Sequence, residues 1–299
     1  MSLSKVLRMI SGHPGKGWPA TRAVTPQMPP RIVSGAAMRA TWIGHATVLL
    51  QTQGLNILTD PVWSDRVGPF GLFGPKRVQA PGVTLKDLPP IDVILISHNH
   101  FDHMDLATLK FLWRRDRPLI ITSLGNDTIL KAKGIPAVAK DWREEVSVKP
   151  GVTVIVERVH HSSSRLGADA RRALWSGFTI RSPAGNVFFA GDTGWGDGKW
   201  IEELVRHSPF RLALLPIGAY EPREAYSEDH IEPQQAALIF RWLGVENAIG
   251  IHWGTFKLTE EGVDAPPSDL STALNKLNVR GDRFRTLVPG ASWDIPAPR

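Results

Sequence analysis

Apolar residues from Met38 onward come in short runs separated by turn formers, and runs of about four to eight such residues read as buried strands. Thr47–Thr52 and Leu55–Thr59 flank Gln53-Gly54, which predicts a tight hairpin, with Asp60-Pro61 ending its second strand. A loop rich in glycine and proline follows, through Pro69, Gly71, Gly74 and Pro75 to Pro81. Val93–Ile96 then predicts a buried strand, followed by a helix from about Leu106 to Trp113 with Asp105 placed as its N-cap. Further strands are expected at Leu119–Thr122, Val152–Val159, Trp175–Ile180, Val187–Ala190, Leu212–Pro216, Ala248–Ile251 and near Arg285–Leu287. Helices are expected at Asp127–Lys133, Trp200–Arg206, Pro233–Leu243 and Ser268–Leu277, the third with proline in its favoured first turn. The order is strands first, then strands mixed with helices, twice over. It predicts two packed sheets with helices outside, in one α/β domain over 38–299.

Residues 1–37 lack this texture. They are rich in proline, glycine and basic residues and read as an N-terminal extension, a plain tail or a wrap around the domain. A lesser reading gives Leu3, Val6, Leu7 and Ile10 a peripheral membrane contact. No apolar run approaches the roughly 18 residues of a membrane span, and no secretory leader is evident, so a cytoplasmic chain is expected. The 299 residues contain no cysteine, which excludes disulfides, thiolate ligands and cysteine nucleophiles. Any metal must therefore be held by histidine and carboxylate. The formal charge of +6 favours anionic partners, but the basic residues are dispersed and no nucleic-acid partner is expected. Composition does not reveal the oligomeric state.

The chemistry concentrates after the Val93–Ile96 run. His98, His100 and His103 join Asp102 within six residues, a density that would be costly to bury without a metal to share. His161, Asp192 and His252 also fall just past the ends of apolar runs. Strand ends converging on one edge would unite five imidazoles and two carboxylates. That is enough for two metals sharing one oxygen, and imidazole suits zinc, iron or manganese.

These residues resemble the metallo-β-lactamase superfamily, through His98-x-His100-x-Asp102-His103, His161, Gly191-Asp192-Thr193 and His252. Longer strings resemble its branch of N-acyl-phosphatidylethanolamine-hydrolysing phospholipase D. They are Gly44-His45-Ala46-Thr47, Thr59-Asp60-Pro61-Val62, Gly74-Pro75-Lys76-Arg77, Leu88–Asp92, Phe188–Gly194, Pro216–Arg223 and Ile251–Phe256. The resemblance implies a four-layer αββα sandwich with two Zn2+ on one edge, Mn2+ or Fe2+ being alternatives. It places His98, His100 and His161 on one metal, Asp102, His103 and His252 on the other, and Asp192 and a hydroxide between them, the metals about 3.5–4 Å apart. Such a site keeps about one positive charge and favours a phosphodiester. The implied activity is phospholipase D-type cleavage of N-acyl-phosphatidylethanolamine or a similar amphipathic phosphodiester, by an enzyme that could sit peripherally on a membrane. Asp102 would orient the hydroxide or accept its proton. The alternatives are a lactonase related to ascorbate-phosphate lactonases and a metal-binding scaffold without turnover.

Other residues carry competing readings. Asp60 can fix a ligand histidine or simply end a strand. His230 can contact phosphate or protonate the leaving alkoxide, or lie on a surface loop. Tyr220 and Arg223 are candidates for substrate binding, with an internal ion pair of Arg223 as the rival reading. Trp63, Phe70, Phe73 and Trp195 can line an apolar mouth or anchor loops. His45 and His160 read as structural, His13 and His207 as surface residues. Ser162-Ser163-Ser164-Arg165 departs from the branch pattern, as does the acidic Glu224–Asp229 loop, and both bear on the acyl-chain pocket.

Overall fold

A computed structural model describes residues 17–165 and 172–298. His13 and the apolar residues Leu3 to Ile10 lie outside the described residues. Fourteen strands and six helices occur among those described. The first sheet contains β1 (Met38–Gly44), β2 (Thr47–Thr52), β3 (Leu55–Thr59), β4 (Val93–Ile96), β5 (Leu119–Ser123) and β6 (Val138–Lys140). The second contains β7 (Glu145–Lys149), β8 (Val152–Glu157), β9 (Gly177–Arg181), β10 (Asn186–Phe189), β11 (Phe210–Pro216), β12 (Ala248–Ile251) and β13 (Phe284–Arg285). Strand β14 (Ser292–Asp294) returns to the first sheet, whose order is β14-β1-β2-β3-β4-β5-β6. The second sheet runs β13-β12-β11-β10-β9-β8-β7.

Period-two alternation builds the layers. In the first sheet Leu50, Ile57, Val93, Leu95 and Ile121 join a core shared with Phe178, Phe188, Leu212 and Leu214 of the second. The intervening residues Leu49, Leu58, Ile94, Ile96 and Ile120 pack on Leu109 and Leu112 of α1 (Leu106–Asp116) and Leu130 of α2 (Asn126–Lys131). The second sheet is covered by α3 (Lys199–Val205), α5 (Pro233–Trp242) and α6 (Ala265–Lys276), through Trp200, Phe240 and Leu270. The short α4 (Arg223–Tyr226) lies in the β11–α5 connection. The fold is thus an αββα sandwich. Asp105 caps α1 by accepting the amides of Ala107 and Thr108.

Each sheet changes from antiparallel pairing to a parallel run, at β3-β4-β5-β6 and at β10-β11-β12-β13. Loops at the carboxyl ends of such parallel strands form the natural crevice of an α/β sheet. Part of the N-terminal extension lies along the domain. Gln27 N donates to Gly82 O, Arg22 pairs with Asp264, and Trp18 Nε1 donates to Glu261 O.

Four strands, the short helix α4 and the start of α6 stand outside the sequence expectation, and other element ends shift by up to about three residues. β1, β6, β7 and β14 were not anticipated. β7 reads Glu-Val-Ser-Val-Lys and is half-exposed at a sheet edge, while β6 and β14 have only three residues each. Helix α6 begins at Ala265, three residues before the expected Ser268, because Pro266 and Pro267 sit within its first turn.

Candidate metal centre

Ser97 leaves β4 and the next six residues curl into a turn closed by the amides of His103 and Met104 on His100 O. The turn aims His98 and His100 at His161, which follows β8. His98 Nε2 lies 2.8 Å from His100 Nδ1, and His161 Nε2 lies 3.4 Å from the same atom. A second group faces it. Asp102 Oδ2 is 3.5 Å from both His103 Nε2 and His252 Nε2. Asp192, in the turn after β10, lies between the groups. Its Oδ2 is 3.0 Å from His103 Nε2, 3.1 Å from His252 Nε2 and 4.0 Å from the Nε2 atoms of His98 and His161. The structure therefore brings all seven expected ligands to one edge.

The donor set fits a metal. His98, His100 and His161 place ligand atoms within 4.8 Å of one another, and His45, Asp102, His103 and His252 do the same. His103 Nε2, His252 Nε2 and Asp192 Oδ1 are buried with no hydrogen-bond partner. Buried polar atoms are seldom left unpaired, and here several of them cluster where an ion could complete them. In His161, His103 and His98 the opposite ring nitrogen is tied back, which turns Nε2 inward. His161 Nδ1 donates to Asp229 O at 2.9 Å, and His103 Nδ1 donates to Asp60 Oδ2 at 2.7 Å. Ser97 Oγ donates to Asp60 Oδ2 at 2.5 Å and lies 2.9 Å from His98 Nδ1. One buried carboxylate thus orients His103 directly and His98 through a hydroxyl.

The two groups differ electrostatically, and in the second a metal would bind by displacing imidazole protons. Burial, with neighbouring imidazoles, holds His98 well below the ordinary histidine value and lowers His100 and His161 to about 4, so the three are neutral and able to ligate. Burial works against ionisation of Asp102 and Asp192, but His103 and His252 outweigh it and keep both carboxyls well below their usual range. Burial likewise opposes a charge on His252, yet Asp192 and Asp102 raise it to about 9. The second group behaves as a cation–anion cluster and the first as bare imidazole.

His45 was read as structural and stands inside the site. Its Nε2 is 3.0 Å from Asp102 Oδ2, it is 1% exposed, and burial lowers it to about 3. The available signal was its place in the turn after a strand, shared with the other site residues. His45, Asp60 and His252 also hold φ of 55°, 30° and 63°, in left-handed backbone that side chains avoid.

His230 reaches the rim, its Nδ1 3.9 Å from Asp192 Oδ2. Burial lowers it to about 4. Arg223 donates to His230 O at 2.9 Å and to Gln235 Oε1 at 3.3 Å. Tyr220 is 3% exposed and its hydroxyl donates to Asp269 at 2.5 Å. Trp63 donates to Val83 O, and Trp195 meets Trp242 edge to face. Phe70 and Phe73 lie exposed on a projecting loop. His160 stands half-exposed 3.5 Å from Glu228, and His207 is half-buried 3.1 Å from Glu157.

A two-sheet sandwich with histidines and aspartates converging on one edge defines a metallo-hydrolase of the β-lactamase superfamily. The chain belongs to that superfamily, whose domain matches residues 55–253. Within it the chain is related to N-acyl-phosphatidylethanolamine-hydrolysing phospholipase D enzymes. It is 34% identical over 273 residues to phospholipase D 1 of that kind from Caenorhabditis elegans, covering 87% of this chain and 77% of the relative. It is also 34% identical to the mitochondrial enzyme of Saccharomyces cerevisiae, covering 74% of this chain and 48% of that one. A metallo hydrolase of Ignicoccus hospitalis has the same fold, with TM-score 0.67 and 21% identity over 88% of this chain and 100% of that one. Among the described residues no helix is long and apolar enough to cross a membrane.

Proposed function

We propose that this metal-dependent hydrolase is a zinc phosphodiesterase of phospholipase D type, acting on N-acyl-phosphatidylethanolamine or a similar amphipathic phosphodiester. The observation that carries the reading is Asp192 Oδ2, which faces His103 and His252 on one side and His98 and His161 on the other. A single oxygen so placed suits a ligand shared between two ions. The names of the worm and yeast relatives support the substrate class. When bound, a metal pair supplies positive charge for an anionic ester and acidifies an attacking water.

The chain's own residues divide the remaining work. His98, His100 and His161 would hold one ion, Asp102, His103 and His252 the other. Asp102 stays ionised, so it can orient the attacking water and accept a hydrogen bond from it. A neutral His230 can donate one hydrogen bond to a phosphoryl oxygen or to the departing alkoxide. Arg223 and Tyr220 act one step back. They fix the 219–232 segment that carries His230, through its carbonyl and through Asp269.

The test is product release from N-acyl-phosphatidylethanolamine in mixed micelles, followed by mass spectrometry with zinc-loaded and chelated protein. Phosphatidic acid that requires metal is expected. A lactone hydrolysed faster than any phosphodiester under matched conditions would overturn the reading. Asp192→Asn should lose metal and turnover together, since the amide cannot supply the shared anionic oxygen. Full activity in that variant would dismiss the assigned site.

A further inference from the structure

The loop between β3 and β4 carries a projecting finger at residues 66–76. At its tip Phe70, Leu72 and Phe73 are 89%, 70% and 56% exposed. Its neck is built. Arg66 pairs across to Lys76, Val67 N donates to Pro75 O, and Arg66 Nη1 donates to Gly74 O at 2.9 Å. The two strands pinch so closely that a Cβ on Gly68 would lie 2.4 Å from Phe73 O. Phe70 is held at φ 60° and ψ 9°, a conformation that costs a bulky side chain about 1 kcal/mol or more. Strain and apolar exposure together are costs that the isolated chain does not recover.

The finger's base joins the site. Val67 packs with Val62 and Phe256, and the Phe256 ring meets His45 edge-on at 5.2 Å. The buried Arg77 guanidinium lies 4.7 Å above the same ring. A medium that received the tip would therefore lie beside the metal edge. Three side chains expose at most a few hundred Å2, whereas a stable protein interface needs about 800 Å2 per partner. The patch is convex and narrow, which suits a fluid apolar phase. Lys76 is exposed on the finger and Arg66 half-exposed, against one acidic neighbour, Asp65, and the chain carries a formal charge of +6. This balance complements anionic headgroups.

We propose that the 66–76 finger is an interfacial anchor that inserts Phe70, Leu72 and Phe73 into the acyl region of an anionic lipid surface. The proposal rests on the lipid reading of the site only for the substrate that the anchored edge would meet. Anchoring itself needs no turnover.

The experiment is flotation of the metal-loaded full chain with phosphatidylcholine vesicles, with and without phosphatidylglycerol. Binding is expected to be stronger on the anionic vesicles. Combining Phe70→Ser, Leu72→Ser and Phe73→Ser should cut partitioning by about 100-fold, while the thermal melt and turnover of a soluble, chain-free phosphodiester stay unchanged. Lys76→Glu should weaken binding to anionic vesicles and leave neutral ones unaffected. Because the chain has no cysteine, Leu72→Cys can carry a single polarity-sensitive dye, whose emission should shift to the blue on vesicles. Absence of vesicle binding by the native chain would overturn the anchor. So would undiminished binding by the triple variant, or a dimer that the triple variant abolishes in place of vesicle binding. If vesicles bind and no phosphodiester is cleaved, the substrate reading fails and the anchor stands.

Discussion

Asp60 has no solvent exposure, and burial raises its carboxyl despite its hydrogen bonds. It is held by His103 Nδ1, Ser97 Oγ and Ser97 N. Asp60→Asn keeps the shape but sets an amide donor near the ring N–H. Metal affinity should fall about 10–100-fold, read by competition with a chromogenic chelator, while the melt of the chelated protein changes little. Unchanged affinity would dismiss the orienting role. Glu157 lies away from this edge, beside His207 and Arg206. Burial raises its carboxyl above the ordinary glutamate range. The folded chain thus holds that proton more tightly than the unfolded chain, and stability is lost as pH rises through the shifted value. Glu157→Gln should match the parent at pH 4 and melt higher at pH 7. Equal melts at both values would contradict this sign. The seven ligand candidates were legible because each follows an apolar run, and residue type and position pointed the same way. His45 was read as structural, since its turn position alone does not say that Asp102 faces it across 57 residues. The surroundings of Tyr220 were equally hidden, because Asp269 is 49 residues away on helix α6.

Among the elements, the hairpin of β2 and β3 and the strand β12 appear with the ends expected, and α5 stops one residue short of its expected end. Their apolar runs are long or their turn chemistry is explicit. The missed strands are the short or edge ones. β1 is defined largely by partners at both ends of the chain, β2 and β14. Such pairing leaves no local signature. The same reach across sequence appears at Arg211 on β11. Its guanidinium donates to the carbonyls of Ala36, Ala184, Ile295 and Pro296. It joins the segment before β1, the β9–β10 turn and the residues after β14. Arg211→Met leaves those carbonyls without this donor and should cost about 3 kcal/mol or more. A chemical denaturation curve would register the loss, and metal stoichiometry should stay intact. A variant as stable as the parent would show that water replaces the guanidinium without penalty.

For the whole molecule, the metal edge is a place where the fold gathers groups that repel or desolvate one another. His98, His103, His161 and His252 all lie nine-tenths or more buried, within reach of Asp192, and His103 and His252 also of Asp102. An ion that binds only the folded chain stabilises it by mass action, about 4 kcal/mol at a thousandfold excess over its Kd. Chelation should therefore lower the melting temperature by about 5 °C or more, and readdition of zinc should restore it. A melt indifferent to chelation would mean that the cluster is stable without an ion. The αββα arrangement was legible from the twofold succession of strands and helices together with the family resemblance. The extension's path along 17–37 was not, because its contacts are backbone and single side-chain bonds without periodicity.

The pairing of β14 with β1 has a consequence for the nascent chain. β1 leaves the ribosome long before its outer neighbour β14, since Arg39 meets Asp294 across the ladder. All seven ligands have emerged once His252 is out, and β13 soon follows. Through that interval β1 shows a row of unpaired backbone donors and acceptors, the kind of edge that recruits a strand from another molecule. A newly made chain is therefore complete in its chemistry before it is closed in its architecture. Its exposure to aggregation during synthesis lies at that first strand, away from the histidines.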